Sequence, residues 1–152
     1  MSVWRPSPSI RVKTIGLHWR NGKLLCSEVP DDRGNIKGVR PLGGTVEFGE
    51  TWQAALRREF QEELGVDIEI TGLPTVMENI FQHHGDTGHE VIFVAPIQMS
   101  KEAFADTDII HFTEDNGFEC TARWFDISRL DVGDLELYPT GLKAHLTNQI
   151  GT

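Results

Sequence analysis

The sequence of 152 residues contains only two cysteines and no long apolar segment. Cys26 and Cys120 are too few for a disulfide scaffold and lack a CxxC metal spacing, so we expect both to be reduced thiols. No apolar run approaches the roughly 20 residues that a membrane span requires. The start, MSVWRPSPSI, lacks the apolar core of a secretory signal. The sequence therefore predicts a soluble, cytoplasmic protein with no membrane partner.

Basic residues are also scarce, with 14 Lys and Arg against 23 Asp and Glu and a formal net charge of -9. A protein that binds a nucleic acid polymer needs a basic face to neutralise phosphates, so this balance argues against that class. An anionic small substrate remains open, because a bound divalent cation reverses the sign of the local field.

The length indicates a single domain. Prolines and serines over residues 1–9 predict a flexible N-terminal arm, and residues 10–150 are the predicted domain. Alternating or apolar segments bounded by turn residues predict strands, of which the fifth is apolar enough to lie centrally. These segments are IRVKTIGLHW, KLLCSEV, VDIEITG, TVMENIF, HEVIFVAPIQM and FECTARWFDI, of which the third and fourth form one long strand or two short ones.

The segment TWQAALRREFQEEL is the best helix in the sequence, with Thr51 as N-cap and Gly65 as the left-handed residue that ends it. A second helix is predicted near Pro139 in PTGLKAHLTNQI, a short one in SKEAFAD and a helical turn in DISRL, whereas TDIIHFTEDNG reads as a loop. Strands on both sides of a central helix predict an α/β fold in which helices cover both faces of a mixed sheet.

One face of the central helix carries three carboxylates, Glu59, Glu62 and Glu63, beside an apolar stripe of Trp52, Leu56, Phe60 and Leu64. Like charges at this spacing cost a few tenths of a kcal/mol per pair. Two interpretations remain open on these residues alone: a solvated acidic face, or a site for a hard cation such as Mg²⁺, which takes oxygen ligands. The glycines just upstream, Gly43 and Gly44, allow backbone to approach that face closely.

The spacing extends beyond the helix. Gly44, Glu50 and the run Arg58-Glu59-Phe60-Gln61-Glu62-Glu63-Leu64-Gly65-Val66 match G-x5-E-x7-R-E-U-x-E-E-x-G-U, where U is a bulky apolar residue. The segment resembles the Nudix box, and the chain is identified as a member of the Nudix hydrolase family. Phe60, aromatic where the family more often has an aliphatic residue, is the only soft departure. It lies on the buried stripe.

The resemblance implies an α/β/α sandwich with a mixed sheet, and a hydrolase that cleaves nucleoside diphosphate derivatives using Mg²⁺ or Mn²⁺. Carried onto this sequence, Glu59, Glu62 and Glu63 are the metal ligands, together with the carbonyl of Gly43 or Gly44. Glu50 and Arg58 orient those carboxylates by salt bridge.

The resemblance does not specify which carboxylate is the general base. Glu62 or Glu63 can take the proton from the attacking water, and in many family members an acid from a later loop or strand takes part. The candidates for that acid are Glu114, Asp115 and Glu119. We favour Glu119, which FECTARWF places on or beside a strand.

The substrate is not specified by the sequence, because markers for diadenosine polyphosphate, ADP-ribose and coenzyme A hydrolases are absent. MENIFQHHGDTGHEVIFV is the most unusual stretch outside the box. It supplies substrate-binding candidates Glu78, Phe81 and Glu90, to which we add Arg40. Its histidines, His83, His84 and His89, are either solvated or transition-metal ligands.

Two other functions stay open: a Nudix domain that binds nucleotide or a protein partner without catalysis, and a diphosphate isomerase that uses Cys26 or Cys120. The expected partner is a small nucleotide or diphosphate, and a homodimer is compatible with the family.

Overall fold

A computed structural model describes residues 5–6, 8–83, 85–100, 102–114 and 116–150, and the side chains of all of these except 148–150. The predicted arm over residues 1–9 falls largely outside these ranges, as do the candidates His84 and Asp115. Arg5, which is described, forms an ion pair with Asp86 at 2.8 Å.

The described residues form eleven strands, two α-helices and one 3₁₀ turn. The strands are β1 (Ile10–Leu17), β2 (Trp19–Arg20), β3 (Lys23–Pro30), β4 (Ile36–Pro41), β5 (Gly43–Thr45), β6 (Ile68–Ile70), β7 (Thr75–His83), β8 (Asp86–Met99), β9 (Ile109–Thr113), β10 (Glu119–Phe125) and β11 (Glu136–Leu137). The helices are α1 (Trp52–Leu64) and α2 (Leu142–Ile150), and the 3₁₀ turn spans Ile127–Arg129, as the sequence predicts.

The strands divide between two mixed sheets. The first has the order β5-β1-β8-β6, with β7 also paired to β8, and β1 runs parallel to β8. The second has the order β11-β4-β3-β10-β9, with β2 paired to β3. The α/β fold with mixed sheets is confirmed, and β8 is the long inner strand of the first sheet that the sequence predicts.

The two helices cover opposite faces of the first sheet. On β1, Ile15 and Leu17 share a core with Leu142 and Leu146 of α2. The opposite face carries Gly16, which lies against Phe60 of α1. Because successive strand residues point to opposite faces, the parity of a residue on β1 decides which helix it meets.

The ends of α1 follow from their capping residues. Thr51 accepts a hydrogen bond from the Ala54 amide at 3.1 Å, which satisfies one of the free donors of the first turn. Gly65 has φ 67°, the left-handed conformation that glycine adopts at least cost. Buried Leu56 and Phe60 fix α1 against the sheet, and this packing determines the direction in which the acidic side of the helix points.

Three local predictions are wrong. SKEAFAD forms turns over 102–106 and no helix among its described residues, TDIIHFTEDNG contains β9, and α2 begins at Leu142, three positions later than expected. The residues Ile109–Thr113 become a strand because they pair with β10. Neither described helix has the length and apolar character needed to cross a membrane.

Candidate active site

Arg58 organises the acidic side of α1. Its guanidinium donates to both oxygens of Glu50 at 2.7 and 2.9 Å. It also donates to Glu59 at 3.0 Å, to Glu62 at 3.3 Å and to the carbonyl of Thr45 at 3.0 Å. This planar fork of donors ties α1 to β5 and holds two of the three box glutamates in place.

Glu50 receives two kinds of donor. Besides Arg58, the Glu47 amide donates to its Oε1 at 3.0 Å. The hydrogen bonds from Arg58, and then that from the Glu47 backbone, lower the pKa of Glu50 to about 2. Glu50 is therefore an ionised anchor for Arg58, as the resemblance implies, and its oxygens are occupied by these donors.

The carboxylate of Glu59 is buried against the backbone of Gly44. Glu59 is only 7% exposed. A Cβ built on Gly44 would lie closer than van der Waals contact to all three carboxyl atoms of Glu59. The glycine is thus required because the carboxylate occupies the space of a side chain.

Glu63 is half-buried and hydrogen-bonds to the buried Glu59. Burial, then the charges of Glu59 and Glu114 and a hydrogen bond to Glu59, raise the pKa of Glu63 to about 8. Two carboxyls this close in a partly buried position disfavour ionisation of both at once. A carboxyl whose pKa is raised in this way indicates a candidate site for binding a cation.

Glu114 reaches the same place from the end of β9. Its carboxylate forms an ion pair with Arg40 of β4 at 3.2 Å, and its negative charge helps to raise the pKa of Glu63. Cys120 lies beside it, and burial followed by Glu114 raises the pKa of that thiol to about 12. Residues from α1, β4, β9 and β10 therefore meet around Glu63.

The favoured base, Glu119, is not brought to this cluster. It is exposed on β10 next to Cys120, and adjacent strand residues face opposite sides of the sheet. Cys120 faces the core that includes α1, so the Glu119 side chain points away from it. The placement favours Glu114, the alternative weighed from the sequence; Asp115 lies outside the described residues.

The substrate-binding candidates separate into two groups. Glu90 pairs in register with Arg11, and Phe81 lies over Gly88, both on the face of the first sheet turned away from α1. Glu78 points to the other face, where it contacts His89 at 3.1 Å. Arg40 contacts Glu114 at 3.2 Å, and its charge acts on Glu63 of the box.

The carboxylates fit a divalent cation in part. Within the described ranges, no three His, Cys, Asp or Glu side chains converge closely enough to form a complete metal cage. Mg²⁺, however, commonly takes one or two protein carboxylates and completes its shell with water and substrate phosphate oxygens. Glu59 and Glu63 provide such a pair, and the space that a Gly44 side chain would fill holds one of them. The transition-metal interpretation of the histidines gains no support from the described residues.

Gly44→Ala is expected to weaken Mn²⁺ binding roughly tenfold, because the new Cβ displaces the carboxylate of Glu59. The free energy of unfolding should change little, since the displaced group is the end of a flexible side chain. In the matched variant Gly43→Ala, the free energy of unfolding should fall and Mn²⁺ affinity should change little. The new Cβ would collide with the backbone of Thr14, which cannot move without disturbing the sheet. Calorimetric Mn²⁺ titration and chemical unfolding of both variants measure this. Unchanged Mn²⁺ affinity in Gly44→Ala would contradict the packing argument.

A family model described as the NUDIX domain matches residues 14–145, which run from within β1 to the first turn of α2. The chain belongs to the NUDIX family. The Nudix identification made from the box is thereby confirmed.

Similar proteins agree with this assignment. A protein of Enterobacter sp. (strain 638) named nucleoside triphosphatase NudI is 48% identical over 54 residues, 35% of this chain and 38% of that protein. The match thus spans well under half the length of that relative. A MutT NUDIX hydrolase structure from Burkholderia pseudomallei has TM-score 0.63 and 23% identity, covering 93% of this chain and 98% of that one. A NUDIX hydrolase from Nitrosomonas europaea has TM-score 0.63 and 20% identity over 94% and 90% of the two chains.

Proposed function

We propose that the chain is a divalent-metal-dependent hydrolase that cleaves the diphosphate linkage of a nucleoside phosphate by attack of water at phosphorus. The observation that carries this proposal is the carboxyl pair of buried Glu59 and half-buried Glu63, in which burial and then the charge of Glu59 raise the pKa of Glu63 to about 8. Such a pair is costly in a folded protein unless a cation or a proton compensates it. Its position in a fully matched Nudix box favours the cation.

Glu59 and Glu63 would hold Mg²⁺ or Mn²⁺, with a carbonyl of Gly43 or Gly44 as the family implies. Arg58 would keep Glu59 and Glu62 oriented toward the same region. When bound, the ion neutralises phosphate charge and acidifies water. The chain's own contribution is to fix these oxygens before substrate arrives.

We assign the role of general base to Glu114. Its carboxylate is half-buried, is held by Arg40 at 3.2 Å and acts electrostatically on Glu63. The backbone amide of Glu114 donates to the Phe118 carbonyl at 3.0 Å, which fixes this residue where β9 turns into β10. A carboxylate positioned in this way can accept the proton of the attacking water at one of its oxygens.

Nucleoside triphosphates are the substrates to test first, because the NudI proteins that match segments of this chain carry that activity in their names. An ADP-ribose pyrophosphatase from Streptococcus suis and a UDP-X diphosphatase have folds that this chain resembles at TM-scores of 0.55 and 0.58. ADP-ribose and UDP derivatives therefore belong in the same panel. A small anionic nucleotide agrees with the acidic chain if the divalent ion is bound.

The test is to incubate the protein with nucleoside triphosphates, diphosphates, ADP-ribose and UDP-sugars, with Mg²⁺, Mn²⁺ or EDTA. Ion chromatography separates phosphate, pyrophosphate and nucleotide products, and ¹⁸O water locates the attacked phosphorus. Turnover that requires metal is expected. Saturable binding without turnover would favour the binding-domain alternative, and rearrangement with an intact diphosphate would favour the isomerase. The buried Cys26, whose pKa is raised by burial, and the protonated Cys120 are poorly suited to that last chemistry.

A further inference from the structure

One edge of the first sheet is formed by β7. This strand pairs with β8 in unbroken register, from Thr75 opposite Val94 to His83 opposite Asp86. No other strand within the described ranges pairs with it. Because a strand at the edge of a sheet presents backbone amides and carbonyls sideways, it is a template on which a further strand can pair.

β7 carries few of the features that protect such an edge in monomeric proteins. Its nine residues, TVMENIFQH, contain no proline, no lysine and one carboxylate, that of Glu78. A typical strand has about 5–6 residues, and the register of β7 with β8 contains no bulge. Short edge strands, prolines, lysines and bulges are the usual means by which proteins prevent edge pairing. The alternation of TVMENIF predicts a strand, whereas only its pairing shows that the strand lies at an edge.

The side chains on one face of β7 are also uncovered. Val76 and Ile80 are 54% and 60% exposed. They alternate with Glu78 and Gln82, which are exposed as well. On the opposite face, Met77 packs against the core to which α2 contributes. Apolar side chains therefore lie in solvent directly beside an edge that can accept another strand.

The order of these exposed side chains is self-complementary about Ile80. When two antiparallel copies of β7 are related by a two-fold axis at this residue, Ile80 faces Ile80, and Glu78 of each copy faces Gln82 of the other. A carboxylate accepts hydrogen bonds and the amide nitrogen of glutamine donates them. An axis at Glu78 would place two carboxylates opposite each other, and an axis at Asn79 would place Val76 opposite Gln82.

The same register keeps the acidic groups apart, which matters in a chain with a net charge of -9. The two Glu78 carboxylates would be separated by four residues, or about 13 Å along the strands. That distance exceeds the screening length of about 8 Å at physiological ionic strength. Gln82 donates one amide proton to Thr87 at 2.9 Å, and its amide nitrogen carries a second donor for the facing carboxylate.

We propose that β7 is a homodimer interface, in which two copies of the chain pair their β7 strands antiparallel about Ile80 and join their first sheets into one. Both copies use the same edge, so the contact is isologous and closes at two copies instead of extending into a filament. A second copy is the occupant that the edge fits best, because the side-chain order of β7 complements itself. This inference goes beyond the proposed function and does not depend on it.

Sedimentation equilibrium over a wide range of protein concentration tests the dimer, using the full chain without metal or nucleotide. The parent is expected to approach twice the monomer mass. Ile80→Lys should raise the dimer dissociation constant at least about tenfold, because it places two like charges opposite each other and removes the central apolar contact. Val132→Lys adds the same charge at a valine that is 68% exposed outside the strands, and should leave the dissociation constant unchanged. Circular dichroism verifies that both variants are folded.

Disulfide trapping tests the register. Ile80→Cys is expected to form a covalent dimer under mild oxidation, because directly opposed Cβ atoms lie about 4.5–5.5 Å apart and a small shift brings them within disulfide range. Glu78→Cys, exposed on the same face of the strand, is the matched control, since its two copies would lie about 13 Å apart. Non-reducing electrophoresis measures the product. The parent gives the background from Cys120, Cys26 being buried.

A parent that stays monomeric at every concentration overturns the proposal and leaves β7 as an edge for an extended segment of a different protein. A dimer that Ile80→Lys leaves unchanged also overturns it, because the interface then lies elsewhere. Equal trapping of Ile80→Cys and Glu78→Cys contradicts the pairing about Ile80. None of these measurements uses a substrate, so each outcome is separate from that of the hydrolase test.

Discussion

Replacing Glu63 by glutamine is expected to lower kcat/KM by roughly 10²–10⁴-fold while leaving the fold intact. The substitution removes one charge from the carboxyl pair that would hold the metal, and the neutral amide oxygen is a weaker ligand for a hard cation. Glu63 does not belong to the apolar stripe that packs α1 on the sheet, so the core is untouched. Steady-state kinetics with the best substrate, together with calorimetric Mn²⁺ titration, measure the effect.

The same variant should also change how stability depends on pH. Because the pKa of Glu63 is about 8 in the folded protein against an ordinary 4.5, the metal-free folded state holds a proton that the unfolded state releases. Its contribution to stability is complete below the unfolded pKa and is lost as pH rises through the folded pKa. Chemical unfolding in EDTA should therefore show stability falling between these values in the parent, and a flatter profile in Glu63→Gln.

Glu69→Gln is the matched control, since Glu69 is an exposed carboxyl on β6. It should keep parental kinetics, Mn²⁺ affinity and pH profile. The double variant Glu62→Gln with Glu63→Gln tests the box as a unit. If that variant turned over substrate at the parental rate, neither residue would belong to the mechanism.

Arg58→Lys is expected to lower the free energy of unfolding by about 2 kcal/mol and turnover by roughly 100-fold. Arg58 makes five described contacts, to Glu50 twice, Glu59, Glu62 and the Thr45 carbonyl. Lysine has three donors on a single atom and cannot reach this set. Glu50 and Glu59 are 17% and 9% exposed in their side chains, so water replaces the lost partners poorly.

The neighbouring Arg57→Lys provides the control, because Arg57 is exposed on the same helix and the substitution is chemically identical. Urea unfolding and nucleotide turnover of the two variants are compared under the same conditions. Equal behaviour of Arg58→Lys and Arg57→Lys would show that the fork geometry of Arg58 has no special role.

The best predicted part of the molecule is the box, where local chemistry decides the structure. Thr51 and Gly65 end α1 by their own hydrogen bonding and backbone preference, and Glu50, Arg58 and Glu59 interact within one helix and the loop before it. Such contacts depend on spacing along the chain, which a sequence displays directly.

The less well predicted parts depend on partners that are distant in sequence. β9 is a strand because β10 pairs with it, although its five residues lie among polar and charged neighbours that suggest a loop. The acid near Glu63 depends on strand parity: a shift of one residue turns a side chain to the opposite face, so the sequence could not separate Glu114 from Glu119. Likewise, Arg11 lies beside Glu90 and Lys13 beside Thr45 only because of the register of β1 with β8 and β5.

The short strand β5 connects Arg11 to Arg58 through Thr45. Thr45 is bonded through its hydroxyl to a cation and through its carbonyl to the guanidinium that fixes the acids. The relative placement of Arg11 and of the Arg58 guanidinium therefore depends on a strand only three residues long. An insertion in the polar turn before β4 would lengthen a loop, whereas an insertion within β5 would shift Thr45 away from Arg11 or from Arg58 and break one of these two hydrogen bonds.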